Sequence, residues 1–227
     1  MNLKRHIPST LTAMNLASGF TAILINDPLF SPLIILLGGF FDLLDGAVAR
    51  KINASTEFGA ELDSLADLIS FGVAPAYLYY HHILQAQNQI AAIIVSTILV
   101  VFAGLRLAKF NIDTGQKSNF IGLPTPATGL FFAFLVYEQY SKSFLDFNQM
   151  QYIWLSLPVI FAFLMISPFH FLAMKKGENK RKKTLQIITA IIFIISIIMW
   201  LTTGMPFLPA AFIIYIFISL FFCKKVN

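Results

Sequence analysis

Residues 42–67 read Asp42-Leu-Leu-Asp45-Gly46-Ala-Val-Ala49-Arg50, then eight residues, then Gly59-Ala-Glu-Leu-Asp63-Ser-Leu-Ala-Asp67. On a helix Asp42 and Asp45 stand at i,i+3, and Ala49 lies on the same face at i+7. Gly59, Asp63 and Asp67 are successive i,i+4 steps. Each of two helices therefore carries a stripe of two carboxylates beside a small residue. The link between them, about Arg50 to Glu57, is short. The helices are expected to be antiparallel neighbours with all four acids at one end.

Both helices lie within long apolar runs. Of the 227 residues, 57% are hydrophobic and only 12% charged, against about 25% charged in a soluble domain. The mean hydropathy is +0.75. This balance excludes a soluble globular protein and predicts an all-α, polytopic transmembrane bundle of about eight spans. Apolar segments at roughly 9–26, 30–49, 60–80, 89–108, 126–141, 151–168, 184–202 and 206–223 approach the ~20 residues that cross a bilayer core. The first of them follows a short basic N-terminus but has no small-residue cleavage site, so it reads as a span and not as a signal peptide. Pro158 interrupts the sixth segment, and the fifth is short. A single domain is expected over 1–227, with a catalytic core over about 7–127.

Eight spans put both termini on one side, together with fifteen of the sixteen Lys and Arg residues; Lys142 alone falls on the other. That asymmetry predicts a multi-pass protein of the inner, cytoplasmic membrane, with both termini and the acidic cluster facing the cytoplasm. The net charge of +5 therefore serves orientation and lipid headgroups, the basic stretch 175–183 above all, and nucleic acid is not an expected partner. The single cysteine, Cys223, allows no intrachain disulfide.

Four carboxylates in membrane helices cannot all stay charged uncompensated, since each costs at least ~2.5 kcal/mol at a helix centre. One or two divalent cations would neutralise them, and all-oxygen ligation favours Mg²⁺ or Mn²⁺ where phosphate is also present. Gly46, Ala49 and Gly59 leave the helix faces open to a bulky ligand, and Arg50 adds a cation at the rim. Such a setting suits a diphosphate. Intramembrane acids also line proton or cation pathways, but a pathway needs charges continuing to the outer half of these helices, and none follow.

The pattern resembles the signature of the CDP-alcohol phosphatidyltransferase family, D-x2-D-G-x2-A-R-x8-G-x3-D-x3-D. Asp42, Asp45, Gly46, Ala49, Arg50, Gly59, Asp63 and Asp67 match at every fixed position. Membership would imply transfer of a substituted phosphate from a CDP-linked donor to an alcohol, with release of CMP. By the resemblance, Asp42, Asp45, Asp63 and Asp67 bind two divalent ions, and Asp67 is also the catalytic base. Gly46, Ala49, Arg50 and Gly59 contact the CDP-lipid. The chemistry of phosphoryl transfer agrees, because it needs charge neutralisation and in-line positioning more than covalent help.

Three further stretches resemble the phosphatidylserine synthase branch: Ile7-Pro8-Ser9-Thr10-Leu11-Thr12 with Asn15 and Gly19; Phe58 to Asp67 continuing through Ser70-Phe71-Gly72 to Pro75; and Arg106-Leu-Ala-Lys109-Phe110-Asn111 with Gly122-Leu-Pro124-Thr-Pro126. Two departures stand out: Ser9 where the branch often has Asn, and Lys109 where a second Arg is common. The resemblance implies CDP-diacylglycerol and L-serine as substrates, surrounding membrane lipids, and a homodimer. Arg106 and Lys109 are the expected acceptor contacts, a cation being what a serine carboxylate needs; both residues could equally snorkel to headgroups. Asn15 is expected at the nucleotide, with an interhelical hydrogen bond as the other reading. The few cations near the site favour a zwitterionic acceptor over a phosphorylated one such as glycerol 3-phosphate.

Overall fold

The computed structural model describes residues 6–52, 56–84, 88–112, 120–142, 151–172, 180–203 and 207–222. Among these, helical passages coincide with each of the eight apolar runs. They are α1 (Ile7–Ile25), α2 (Phe30–Ile52), a continuous helical rod over 57–84, α5 (Gln89–Ile112), α6 (Thr125–Lys142), α7 (Gln151–Ile166), α8 (Lys180–Thr203) and α9 (Phe207–Phe222). The rod comprises α3 (Glu57–Asp67), a π-helical stretch Leu68–Val73, α4 (Ala74–Tyr79) and a second π-helical stretch Tyr80–Leu84. Three passages, Phe30–Ile52, Gln89–Ile112 and Lys183–Thr202, are both long and apolar enough to cross a membrane, and α7 and α9 are shorter apolar helices. Residues 1–5, 113–119 and 175–179 and Cys223 lie outside the described residues.

Polarity runs inside out. The buried positions of α1 include Pro8, Thr12, Asn15, Gly19 and Ala22, a stripe of small and polar residues at three- and four-residue spacing. Large apolar side chains stand outward instead: Leu36, Leu37 and Phe40 on α2, Ile93, Ile94 and Val101 on α5, and Ile187, Ile191, Ile194, Ile198 and Leu201 on α8. Water would not tolerate this much exposed hydrocarbon. Lipid does, and helices satisfy their own backbone within it. The chain is a membrane protein.

The turn between α1 and α2 explains their close pairing. Asn26 adopts a left-handed conformation (φ 47°) that ends α1, its amide donating to Ala22 O. Asp27 Oδ1 then accepts from the amides of Leu29 and Phe30, each at 2.8 Å, capping α2. Ser31 Oγ donates back to Ala22 O at 2.8 Å.

The π-helical stretch Leu68–Val73 has a local cause. Pro75 has no amide hydrogen, and its ring crowds the carbonyl four residues back, that of Phe71, so the α ladder cannot continue unchanged. The widened turn is clamped by two glycines. A methyl on Gly19 of α1 would come within 2.5 Å of Ser70 Cα, and one on Gly129 of α6 within 2.5 Å of Phe71 O. Below the clamp the core is aromatic: Phe131 stacks on Phe161 at 4.4 Å, Phe132 meets Tyr79 edge-on at 4.8 Å, and Tyr79 Oη donates to Trp154 O at 3.0 Å. Pro158 does not break the sixth segment but lies inside α7.

One element departs from an all-α reading. Phe120–Ile121 and His170–Phe171 form a two-residue antiparallel pair, extended by the Gly122 amide on Phe169 O at 2.9 Å. Two bonded residues leave no alternating pattern from which to expect a strand. The pair joins the entry of α6 to the exit of α7.

Candidate active site

The two acidic stripes meet as their spacing requires. Carboxylate oxygens of Asp42, Asp63 and Asp67 all lie within 4.8 Å of one another, a cluster that can hold a divalent cation. Asp67 is 8% exposed and Asp45 6%, while Asp42 and Asp63 are half-buried. Asp63 Oδ1 is buried without a hydrogen-bond partner. An orphaned carboxylate oxygen inside a three-acid cluster is what an oxygen-ligated ion would satisfy, so these residues fit Mg²⁺ or Mn²⁺.

Asp45 stands slightly apart, where Thr12 Oγ1 donates to its Oδ2 at 2.6 Å. Beside it opens a cavity lined by Pro8, Ser9, Thr12, Asp45, Gly46, Ala49, Thr56, Gly59, Ala60 and Asp63. Three of the expected CDP-lipid positions, Gly46, Ala49 and Gly59, therefore line one cavity together with two of the acids. The local reasons are short-range. Gly59 lies in the first turn of α3, where its amide donates to the capping hydroxyl of Thr56 at 3.0 Å. A methyl on Gly46 would lie 3.2 Å from Arg50 Nη1. The exposed Arg50 thus folds back over Gly46, and its charge acts on Asp45.

Asn15 makes the interhelical hydrogen bond that was one of its two readings. It is 0% exposed, does not line the cavity, and its Nδ2 donates to Asp67 Oδ1 at 3.4 Å. Its own carbonyl accepts from Ser70 Oγ at 2.7 Å. Asn15 thus ties α1 to both the catalytic-base candidate and the π-helical stretch that follows it.

Arg106 and Lys109 part company. Arg106 is 7% exposed, donates from Nη1 to Thr125 Oγ1 at 3.3 Å, lies 5.1 Å above the Phe110 ring, and its charge acts on Asp67. Lys109 is exposed. Asn111 Nδ2 donates to Ser64 Oγ at 2.9 Å, fastening the end of α5 to the acid-bearing helix. At the opposite end, His82 Nε2 pairs with Asn26 Oδ1 at 3.1 Å and Tyr140 Oη donates to His82 O at 3.3 Å, so His82 fastens helix ends.

The supporting hydroxyls, Thr12, Ser70 and Thr125, are what the acidic motif does not reveal. All three lie in the stretches that resemble the phosphatidylserine synthase branch, and Thr12 also stands at i, i+3, i+7 with Asn15 and Gly19.

The sequence model of the CDP-alcohol phosphatidyltransferase family matches residues 5–161. The chain is 46% identical over 124 residues to CDP-diacylglycerol–serine O-phosphatidyltransferase of Methanocaldococcus jannaschii, covering 55% of this chain and 57% of that protein. It is 40% identical over 128 residues to the Bacillus subtilis protein of the same name, covering 55% and 72%. To archaetidylserine synthase of Methanothermobacter thermautotrophicus it is 37% identical over 148 residues, covering 61% and 63%. The chain thus spans 57% of the length of the Methanocaldococcus jannaschii and Helicobacter pylori relatives it matches.

Proposed function

The chain belongs to the CDP-alcohol phosphatidyltransferase family, and from that premise we propose that it transfers the phosphatidyl group of CDP-diacylglycerol to the hydroxyl of L-serine, giving phosphatidylserine and CMP. The observation that carries the reading is the meeting of Asp42, Asp63 and Asp67 within 4.8 Å beside a cavity walled by Gly46, Ala49 and Gly59. Carboxylates collected there have no purpose in packing, and the open glycine faces admit a diphosphate. Serine as acceptor is supported by the names of the relatives, which share serine.

In this reading Asp42, Asp45, Asp63 and Asp67 hold two divalent ions, Mg²⁺ or Mn²⁺. When bound, these ions neutralise the diphosphate and the charge growing on departing CMP. The protein's own groups do the rest. The CDP moiety lies along Gly46, Ala49 and Gly59 with Arg50 at its phosphates. Arg106 receives the serine carboxylate. Asp67, steadied by Asn15 and by the charge of Arg106, takes the hydroxyl proton as the serine oxygen attacks the phosphatidyl phosphorus. The new P–O bond forms as the bond to CMP breaks, and no covalent enzyme intermediate is needed. Lys109, being exposed, serves headgroups better than substrate. The eight helical passages are taken as eight spans of a cytoplasmic membrane, with both termini and the site on the cytoplasmic face, supported by the fifteen-to-one division of cations. A homodimer in that membrane completes the reading.

Purified protein supplied with CDP-diacylglycerol and Mg²⁺ or Mn²⁺ should release CMP on adding L-serine and not on adding glycerol 3-phosphate. Chelation should stop release, and either ion should restore it. Release with glycerol 3-phosphate but not serine would move the protein to another acceptor. Ion counter-transport in liposomes, indifferent to CDP-lipid, would overturn the enzyme reading altogether.

A further inference from the structure

The family match ends at residue 161, yet the segment that leads to the partner of Arg106 is bonded to chain beyond it. Thr125, which accepts from Arg106, opens α6 just after Phe120–Ile121, and that pair is bonded to His170–Phe171. The next residue, Leu172, is held from α9 at both of its backbone groups. Its carbonyl accepts from Tyr215 Oη at 3.2 Å and its amide donates to Ser219 Oγ at 3.2 Å. Tyr215 and Ser219 are i,i+4 on one face of α9 and are both buried, at 7% and 0% exposure.

We propose that Tyr215, seconded by Ser219, is a positioning residue for acceptor recognition: α9 braces Arg106 through the short strand pair that leads to Thr125. A last helix that only filled space in lipid would have no reason to bury two hydroxyls on one backbone residue. Here those hydroxyls fix the residue that follows the strand pair leading to Thr125, which accepts from Arg106. The two sides of the site then have separate supports. Thr12 and Asn15 of α1 hold the carboxylates, and Tyr215 and Ser219 of α9 hold the acceptor cation. The inference rests on the reading of Arg106 as an acceptor contact.

The test uses the full chain in detergent or nanodiscs with Tyr215→Phe, which keeps the ring, and Ser219→Ala. Losing one hydrogen bond near a charged group should raise KM for serine about tenfold in Tyr215→Phe. KM for CDP-diacylglycerol should stay within about twofold, and the rise should be smaller in Ser219→Ala. Hydrogen exchange in the last two turns of α5 should quicken in Tyr215→Phe, a readout independent of turnover. An unchanged KM for serine with unchanged exchange, or equal rises in both KM values, would overturn the inference and leave the serine reading intact. If the wild-type protein releases CMP only with another alcohol, the serine reading fails, and the same split measured with that alcohol decides the role of Tyr215. If it turns over no alcohol, unchanged exchange in Tyr215→Phe overturns the inference on its own. Should Tyr215→Phe not fold, Ser219→Ala is held to the same direction and the same exchange readout.

Discussion

The two ends of the rod over 57–84 are made differently. In α3 only Ala66 and Asp67 are buried, and Phe58 and Leu65 face outward. In α4, Ala74, Pro75, Ala76, Leu78 and Tyr79 are buried, five of six residues. Between them the π-helical turn is clamped at Ser70 and Phe71 by Gly19 and Gly129. One end is kept open to present carboxylates to a cavity; the other is packed as tightly as a soluble core and anchors the first. Burying acids is costly, and a rod that carried them at both ends would have nothing to hold it in register. Function and stability are separated along one helix at a proline-induced turn.

That separation can be broken at either end. The largest expected effect is on the open end: Asp67→Asn should cut CMP release by about 10²–10⁴-fold, with thermal stability unchanged or raised because one of three crowded carboxylates becomes a neutral amide. Activity retained in Asp67→Asn would contradict its role as base. Next, Thr12→Val removes the hydrogen bond to Asp45 without changing shape much. Metal affinity, read by Mn²⁺ titration, should weaken roughly 10–100-fold, while the melting temperature moves little. At the clamp, Gly129→Ala pushes a methyl into the Phe71 carbonyl, and overpacking of this kind costs about 1–3 kcal/mol. The melting temperature should fall, and activity should fall only as far as folded protein is lost. The smallest effect belongs to the packed end. Tyr79→Phe frees Trp154 O and should cost about 1 kcal/mol, with turnover per folded molecule unaltered. If Tyr79→Phe lowered kcat as Asp67→Asn does, the two ends would not be separate.

The difference between the ends also explains what could be read in advance. The acids lie at i,i+3 and i,i+4 on helices joined by a short link, so local periodicity alone placed Asp42, Asp63 and Asp67 together. Gly46, Ala49 and Gly59 follow the same logic. Eight apolar runs found eight helical passages because lipid-facing hydrophobicity is a local property. Asn15 did not submit to this reasoning. Its neighbour Asp67 is 52 residues away, and a lone amide in an apolar run carries no sign of which helix it will meet. Pro158 misled in the other direction, since α7 accommodates it within a continuous helix.

What the sequence determined, then, is everything set by spacing along one helix or across one short link: the acidic cluster, its open glycine faces and the apolar passages. Tertiary structure alone decided which groups support the cluster and the chain around it. Thr12 on Asp45, Asn15 on Asp67, and Tyr215 and Ser219 on Leu172 join residues 33, 52, 43 and 47 positions apart. The physical reason is that a hydrogen bond between distant segments depends on the packing and rotation of whole helices, and helical periodicity identifies a face without identifying its partner.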